Sequence, residues 1–299
     1  MKKIVSVSLG SSKRDHSVTT EVLGEPVSVE RVGTDGDIDL AVERIRVLDG
    51  KVDAFGMGGI DLYVYAAGRR YTFRDAKRIA AAAVKTPIVD GSGLKHTLER
   101  RVVARLDREL LPFRGRRVLM VSSVDRFGMA EALTAAGADV VHGDLMFGLG
   151  VPVALRSMRA LNAVARATLP LVTRLPFTWL YPTGEKQERR EVRFARWFEW
   201  AEVIAGDFHY IGRHMPDRLP GRTVLTNTVT PKDVDDLRAR GIATLVTTTP
   251  NLGGRSFGTN LMEALLVASA GRRAEDLTPA DYEAWLDRAA LEPRIERLG

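Results

Sequence analysis

Cysteine is absent from the 299 residues. Disulfides, thiolate metal sites and a cysteine nucleophile are therefore excluded, and with them a reductase working through an acyl-cysteine. No apolar run reaches the roughly 18 residues of a membrane span. The longest candidate, residues 151–175, is broken by Arg156, Arg159, Arg166 and Arg174. Met1, Lys2 and Lys3 lead straight into a strand-like IVSVSL, not a long apolar signal core, so a cytoplasmic protein without membrane association is expected. His16, His96, His142, His209 and His214 show neither H-x-x-x-H nor H-E-x-x-H spacing, and no metal site is expected. The G-x-S-x-G elbow and the G-x-x-x-x-G-K-[ST] loop are also missing, which argues against α/β-hydrolase and P-loop chemistry. Forty-four Lys and Arg against 38 Asp and Glu leave a net +6, with no long basic block interleaved with aromatics. Nucleic acid is thus not an expected partner; small anionic ligands are.

What is present is an ordinary globular composition, 45% hydrophobic and 27% charged, in a chain long enough for two domains. The stretch RRVLMVSSVDRFGMAEALTAAGADVVHGD (116–144) sets the frame. It runs apolar strand, loop, Ala- and Leu-rich helix stopped by Gly137, second strand and closing acid, the order of a dinucleotide-binding βαβ unit. In such a unit a diphosphate docks on the unpaired N–H groups at the helix start, and the acid meets the ribose hydroxyls. Ser122, Ser123, Asp125, Arg126, Phe127 and Gly128 would line the diphosphate, and Asp144, 22 residues after Ser122, would take the ribose. Asp144 opposes a 2′-phosphate while Arg126 keeps it open, so the expected cofactor is NAD or NADP. The loop keeps one glycine, Gly128, where the G-x-G-x-x-G fingerprint has three.

The expected fold class is α/β with two domains: an N-terminal α/β substrate domain over 1–113, then a Rossmann-like doubly wound parallel sheet over 114–270. The break falls at Pro112-Phe113-Arg114-Gly115, and a helical segment, 271–299, packs back on the first domain. Strands are expected at IVSVSL, on both sides of Gly24-Glu25-Pro26, and in VDAFGMGGIDLYVYA. Helices are expected over 75–85, 94–111, 151–175, 188–200 and 231–240, the last capped by Thr230. AEVIAGDFHYI reads as a strand and IATLVTTTP as the final strand. Three polar loops, LGSSKR (9–14), GMGGID (56–61) and VDGSGLKHT (89–97), follow apolar strands and would gather at the strand carboxyl ends, where ligands bind.

The strings GSSKRD, GTDGD, DAFGMGGIDLY, TPIVDGSGLK, TLERR, VDRFGMAEA, LYPTGEKQE, AGDFHYI, TNTVT, VTTTP and RSFGTN span nearly the whole chain. In these blocks it resembles a bacterial quinate 5-dehydrogenase-like family of the shikimate/quinate dehydrogenase type. The resemblance implies an NAD(P)-dependent oxidoreductase acting on a small hydroxylated carboxylic acid, with a substrate domain ahead of a Rossmann domain. Enzymes of that type hold substrate with a lysine, an aspartate and a Ser-x-Ser near the N-terminus. Here Lys95 with Asp90, and Ser6-Val7-Ser8, have those forms, whereas the usual lysine motif and the Asn-Thr-Asp string are missing.

Alcohol oxidation needs a base for the hydroxyl proton and a cation for the developing alkoxide. Lys95, Asp90 and His209 are the catalytic candidates, with Asp207 orienting His209 if both lie on one strand face. Ser8, Ser11, Ser12, Lys13, Gly58, Gly59, Asp61, Ser92, Lys186 and Asn260 are the substrate-binding candidates, and Thr247 and Thr248 would lie by the nicotinamide. The alternative, from another class, is a non-catalytic Rossmann-like protein that binds a nucleotide or other phosphorylated ligand. A homodimer is one expectation for its assembly.

Overall fold

The computed structural model describes residues 1–22, 24–176, 190–249, 251, 252, 255, 256, 258–289 and 292–299. Two α/β domains carry mostly parallel sheets of five and six strands. In the first, β1 (Lys2–Ser8) lies between β3 (Glu25–Gly33) and β4 (Ala54–Gly58), parallel to both. β2 (His16–Val22) and β7 (Ile88–Val89) are the edges, in the order β2-β3-β1-β4-β7. β2 is antiparallel to β3 because the connection between them is a tight turn at Gly24, whose φ is 77°. A hairpin of β5 (Tyr63–Ala66) and β6 (Arg69–Thr72) follows β4.

The second sheet is doubly wound. Its order is β9 (Asp139–His142), β8 (Arg117–Met120), β10 (Val203–Ala205), β11 (Thr223–Thr226), β12 (Thr244–Thr247) and an antiparallel edge, β15 (Arg294–Arg297). Before β15 comes a short hairpin, β13 (Asn251–Leu252) and β14 (Arg255–Ser256). The stretch expected to be the last strand is therefore followed by another. RIER has one apolar residue among charges, the composition of an edge strand and not of a buried one.

The helices are α1 (Ile38–Leu48), α2 (Arg74–Ala80), α3 (Ser92–Glu109), α4 (Phe127–Ala135), α5 (Met158–Val172), α6 (Ala195–Trp200), α7 (Phe208–His214), α8 (Pro231–Ala239), α9 (Thr259–Ala270) and α10 (Pro279–Ala289). Thr230 caps α8 in a full capping box, as its position before Pro231 predicts. Three expected helices are shorter than their apolar patterns: α2 stops at Ala80, α5 starts only at Met158 and α6 only at Ala195. The expected strand 201–211 is in fact β10 followed by α7. Asp207 starts the helix by accepting the backbone N–H of His209 at 2.9 Å.

Strand alternation sorts the side chains into three cores. Ile4, Val118 and Met120 face a middle layer of α3, α4, α9 and α10 shared by both sheets. Val5, Val7 and Phe55 face outward onto α1, α2 and α5, while Leu119, Val121 and Ile204 face α7 and α8. α5 thus follows a strand of the second sheet yet packs on the outer core of the first.

The middle layer fixes the site. Gly91, with φ 90°, precedes α3, and a Cβ there would lie 2.4 Å from the backbone N of Asn260. That close approach docks the start of α9 on the start of α3. Glu263 of α9 accepts the backbone N–H groups of Gly91 and Gly93, and also the Tyr282 hydroxyl at 2.5 Å. A buried carboxylate, pushed up to about 7 by that burial, thus caps α3 in place of a side chain of its own.

Candidate functional site

In an open parallel sheet the crevice opens where the connections leaving neighbouring strands diverge to opposite sides. In the first sheet this point lies between β1 and β4, and in the second between β8 and β10. The two points face one another. Between them is a cavity of about 310 Å³, lined by Ser6 and Ser8 on β1 and Gly10 after it, Gly58 at the end of β4 and Gly59 to Asp61 after it, Asp125 and Arg126 after β8, and Asp207 to Tyr210 after β10. Asn227 to Thr230 after β11 and Gly258 to Leu261 at the start of α9 close its sides. A volume near the lower end for small-molecule sites fits a ligand the size of a small sugar acid.

One wall is a buried charge cluster. Lys95, on the first turn of α3, donates to Asp61 at 3.1 Å and to Asp125 at 2.9 Å. Arg126, 4% exposed, pairs with Glu99 one turn beyond Lys95, with Asp125 at 3.2 Å and with Asp207 at 3.1 Å. Asn227 donates to the same Asp207 oxygen at 2.8 Å. The carboxyl groups of Asp61 and Asp125 also hydrogen-bond each other, and their acidities are driven apart. Burial holds Asp61 well above the usual carboxylate range; Lys95 opposes the shift, and Asp125 repulsion adds to it. For Asp125 burial acts in the same sense, but Lys95 and Arg126 outweigh it and hold that carboxyl low. Burial likewise works against the Lys95 ammonium, yet Asp125 and Asp61 overcome it and keep it charged. The pair therefore shares a proton, with Asp61 as the protonated member, beside a fixed cation.

Of the catalytic candidates, Lys95 is in this wall. Asp90 also lines the cavity, but its carboxylate accepts from the Leu62 and Ser92 backbone and from the Ser92 hydroxyl, so Lys95 takes Asp61 and Asp125 as partners instead. His209 stands at the mouth, where its Nε2 meets Arg14 of the facing domain at 3.5 Å. Asp207 binds the backbone of His209 and not the imidazole, because the segment is a helix start.

Among the substrate candidates, Ser8, Gly58, Gly59, Asp61 and Asn260 line the cavity. The Ser8 hydroxyl accepts from Arg31 at 3.1 Å, and Asn260 donates to Ser6 at 2.9 Å. Ser11, Ser12 and Lys13 form a short turn outside the lining, and Ser92 lies behind Lys95. Lys186 lies outside the described residues. Sequence reasoning missed Glu99 and Asn227; the spacing of Lys95 and Glu99, four apart on a helix, was the available signal for the first.

The expected dinucleotide corner is filled by the chain itself. Arg126 is spent on three carboxylates, and Phe127 is buried. A Cβ at Gly128 would lie 2.7 Å from the His96 carbonyl oxygen, so the first turn of α4 is pressed against α3. Ser123 is fully buried and bonded to His142 at 2.8 Å, and the Ser122 hydroxyl accepts the Asp207 N–H at 3.3 Å. Asp144 turns inward and accepts the Val124 N–H at 2.8 Å. Thr247 bonds the Thr249 carbonyl, and neither Thr247 nor Thr248 lines the cavity. These residues, as arranged, do not fit a diphosphate and its ribose.

Asp144 instead clamps the loop that carries Asp125 and Arg126. Burial pushes its carboxyl up to about 6 from the ordinary 3.8, partly offset by the Val124 and Ser123 amides. The folded value lies above the unfolded one, so the stability linked to this proton is complete below about pH 4 and is lost as pH rises through 6. Asp144→Asn keeps an acceptor for Val124 without the charge. It is expected to raise stability at pH 8 by about 2 kcal/mol and to flatten the change between pH 4 and 6. Guanidinium melts at pH 5 and 8 check this; a variant that is weaker at pH 8 refutes the clamp.

A family model described as Domain of unknown function (DUF8754) matches residues 93–298, more than two thirds of the chain. The chain belongs to this family. A second model, Domain of unknown function (DUF8753), matches residues 3–90, so the DUF8754 part begins at the turn into α3. Lys95 therefore falls in the DUF8754 part and Asp61 in the DUF8753 part. No curated protein matches the chain. Among solved structures, a hetero-hexameric glutamate dehydrogenase from Thermus thermophilus is 16% identical, with a TM-score of 0.43 over 97% of this chain and 73% of that one. AraP, an arabinose binding protein from Geobacillus stearothermophilus, is 11% identical, with a TM-score of 0.42 over 99% and 97%. A galactofuranose binding protein is 11% identical, with a TM-score of 0.35 over 97% and 99%. Likenesses at these scores carry no function across. Among the described residues no helix is long and apolar enough to cross a membrane.

Proposed function

We propose that the chain is an enzyme acting on a small hydroxylated carboxylic acid of the quinate or shikimate type, and that Asp61, Asp125 and Lys95 move its proton. One observation carries this reading. A carboxyl pair with acidities driven apart stands beside a fixed ammonium on the wall of the main cavity, the arrangement that separates an acid from a base at one pH. Asp61 exchanges the proton with a ligand hydroxyl, and the ammonium of Lys95 stabilises the oxyanion that results. Ser6, Ser8 and Asn260 offer hydroxyl and amide groups for the remaining hydroxyls, and Arg14 and Arg31 line the same cavity with charge for a carboxylate. The blocks in which the sequence resembles quinate 5-dehydrogenase-like proteins agree with this substrate half. No step is routed through a nicotinamide, because the expected corner does not fit one.

A second reading is a non-catalytic binding protein. It is favoured by the saturation of Lys95 and Arg126 with four carboxylates, since structural ion networks also perturb acidity. Thermal shift with quinate, shikimate and a neutral polyol separates the readings at the binding stage. Either acid at a hundred times its Kd is expected to stabilise by about 2.7 kcal/mol, and the polyol to do much less. NMR of the same mixtures, with and without NAD+ or NADP+, then follows product. Absence of binding by both acids sinks the proposal; binding without conversion under any of these conditions supports the second reading.

A further inference from the structure

Among the described residues, five Lys and Arg side chains line the main cavity: Arg14, Arg31, Lys95, Arg126 and Arg213. Four of them are already paired with carboxylates of the chain. Lys95 is held by Asp61 and Asp125, and Arg126 by Glu99, Asp125 and Asp207. Arg31 donates to Asp15 at 2.8 Å, and also to the Ser8 hydroxyl and the Ser11 carbonyl. Arg213 faces Glu191 at 3.6 Å. Arg14 is the exception. Its guanidinium has no carboxylate partner among the described residues and reaches across the mouth to the Nε2 of His209, at a long 3.5 Å.

We propose that Arg14 is the seat for the ligand's carboxylate, and that an acid entering the cavity displaces His209 from it. A guanidinium fork grips a planar carboxylate with two parallel N–H···O bonds, whereas one contact of 3.5 Å to a ring nitrogen is weak. The seat also fixes an orientation. Arg14 stands at the mouth and Lys95 in the wall, so the carboxylate faces outward and the rest of the ligand points at Asp61 and Lys95. That this remainder carries hydroxyls rests on the function proposed above; the seat for the acid does not.

The turn that carries Arg14 is held from several sides. The His16 ring donates to the Arg14 carbonyl at 3.1 Å, Asp15 accepts the Gly33 N–H at 2.6 Å, and Asp35 accepts the Ser12 N–H at 2.9 Å. A Cβ at Gly33 would lie 2.7 Å from the Ser11 carbonyl oxygen, so the turn rests directly on the end of β3. A cation presented from a fixed turn leaves less to be ordered when the acid binds, which favours affinity. Asp207 and Asp233, which share the lining, are taken by other donors: Asp207 by Arg126 and Asn227, Asp233 by the backbone and hydroxyl of Thr230.

The probes are cyclohexanecarboxylate, its neutral amide, inorganic phosphate and quinate, each followed through the His209 ring resonances. Cyclohexanecarboxylate and quinate are expected to shift those resonances saturably, and the amide to leave them in place. Arg14→Gln is expected to weaken both acids by about ten- to a hundredfold. Arg14→Lys, which keeps the charge but not the fork, is expected to restore part of the loss. Equal affinity of the parent and Arg14→Gln for the acids, equal binding of the amide, or no saturable shift with either acid overturns the proposal. Phosphate binding more tightly than both acids overturns it too, in favour of a phosphorylated ligand. The function above is read separately. A parent that binds cyclohexanecarboxylate through Arg14 but converts neither quinate nor shikimate keeps the seat and loses that function. Conversion of quinate with kcat/KM unaltered in Arg14→Gln keeps the function and loses the seat.

Discussion

Lys95→Ala is expected to lower turnover of any acid the main cavity accepts by about 10²- to 10⁴-fold, and to destabilise the fold by about 3–5 kcal/mol. Both effects have one origin. The ammonium is 6% exposed and is the partner shared by Asp61 and Asp125. Without it Asp61 stays buried with no cation and Asp125 keeps only Arg126, which Glu99 and Asp207 share, and a charge left under-paired in that setting costs more than the pair gained. The pH dependence follows with a definite sign. In the variant Asp61 loses the cation that opposed its upward shift, and Asp125 keeps Arg126 but loses its stronger lowering partner, so the deficit is smallest near pH 4 and grows as pH rises. Lys95→Ala with Asp125→Asn removes the carboxylate charge that Lys95 balanced and is expected to regain much of the stability but none of the turnover. Urea melts at pH 4.5 and 8, with product followed by NMR, read the two apart. If the double variant regains turnover, Lys95 is not part of the chemistry.

Parts of this arrangement were legible before any coordinates. IVSVSL alternates so regularly that β1 and its two faces follow from period alone, and Thr230-Pro231 marks a helix start wherever it stands. The three polar loops after apolar strands do converge on one cavity, because parallel strands collect their carboxyl ends on one edge. What the sequence does not display is pairing at a distance. Lys95 meets Asp61 and Asp125 across separations of 34 and 30 residues, and Asp90, five residues away, was the nearer guess. Asp144 misled for a different reason. An acid closing the second strand of a βαβ unit has the same local pattern whether it faces a ribose or turns inward to hold a loop; only the packing of α4 against α3 decides. GDFHYI alternates like a strand, and the side chain of Asp207 makes it a helix start.

Arg126→Met gives the sharpest contrast between those two readings. Were Arg126 a phosphate contact at an open helix start, removing it would weaken nucleotide binding and leave the fold nearly untouched, since a solvated ligand arginine supports little else. In the buried network it is the counter-charge for Glu99, Asp125 and Asp207, which come from α3, the β8–α4 loop and the β10–α7 loop. Its loss is expected to cost about 3–5 kcal/mol at pH 8. The loss should be smaller at pH 5, because Glu99, held above the ordinary carboxylate range by burial against the pull of Arg126 and Lys95, is the first to take a proton. Arg126→Met with Glu99→Gln should recover part of the stability, as replacement of a buried ion pair by neutral groups of similar volume does. Denaturant midpoints for the three proteins at the two pH values measure this directly. A single variant as stable as the parent at pH 8 would mean that the guanidinium does not hold these three elements together, and the corner beside α4 would again be open to a diphosphate.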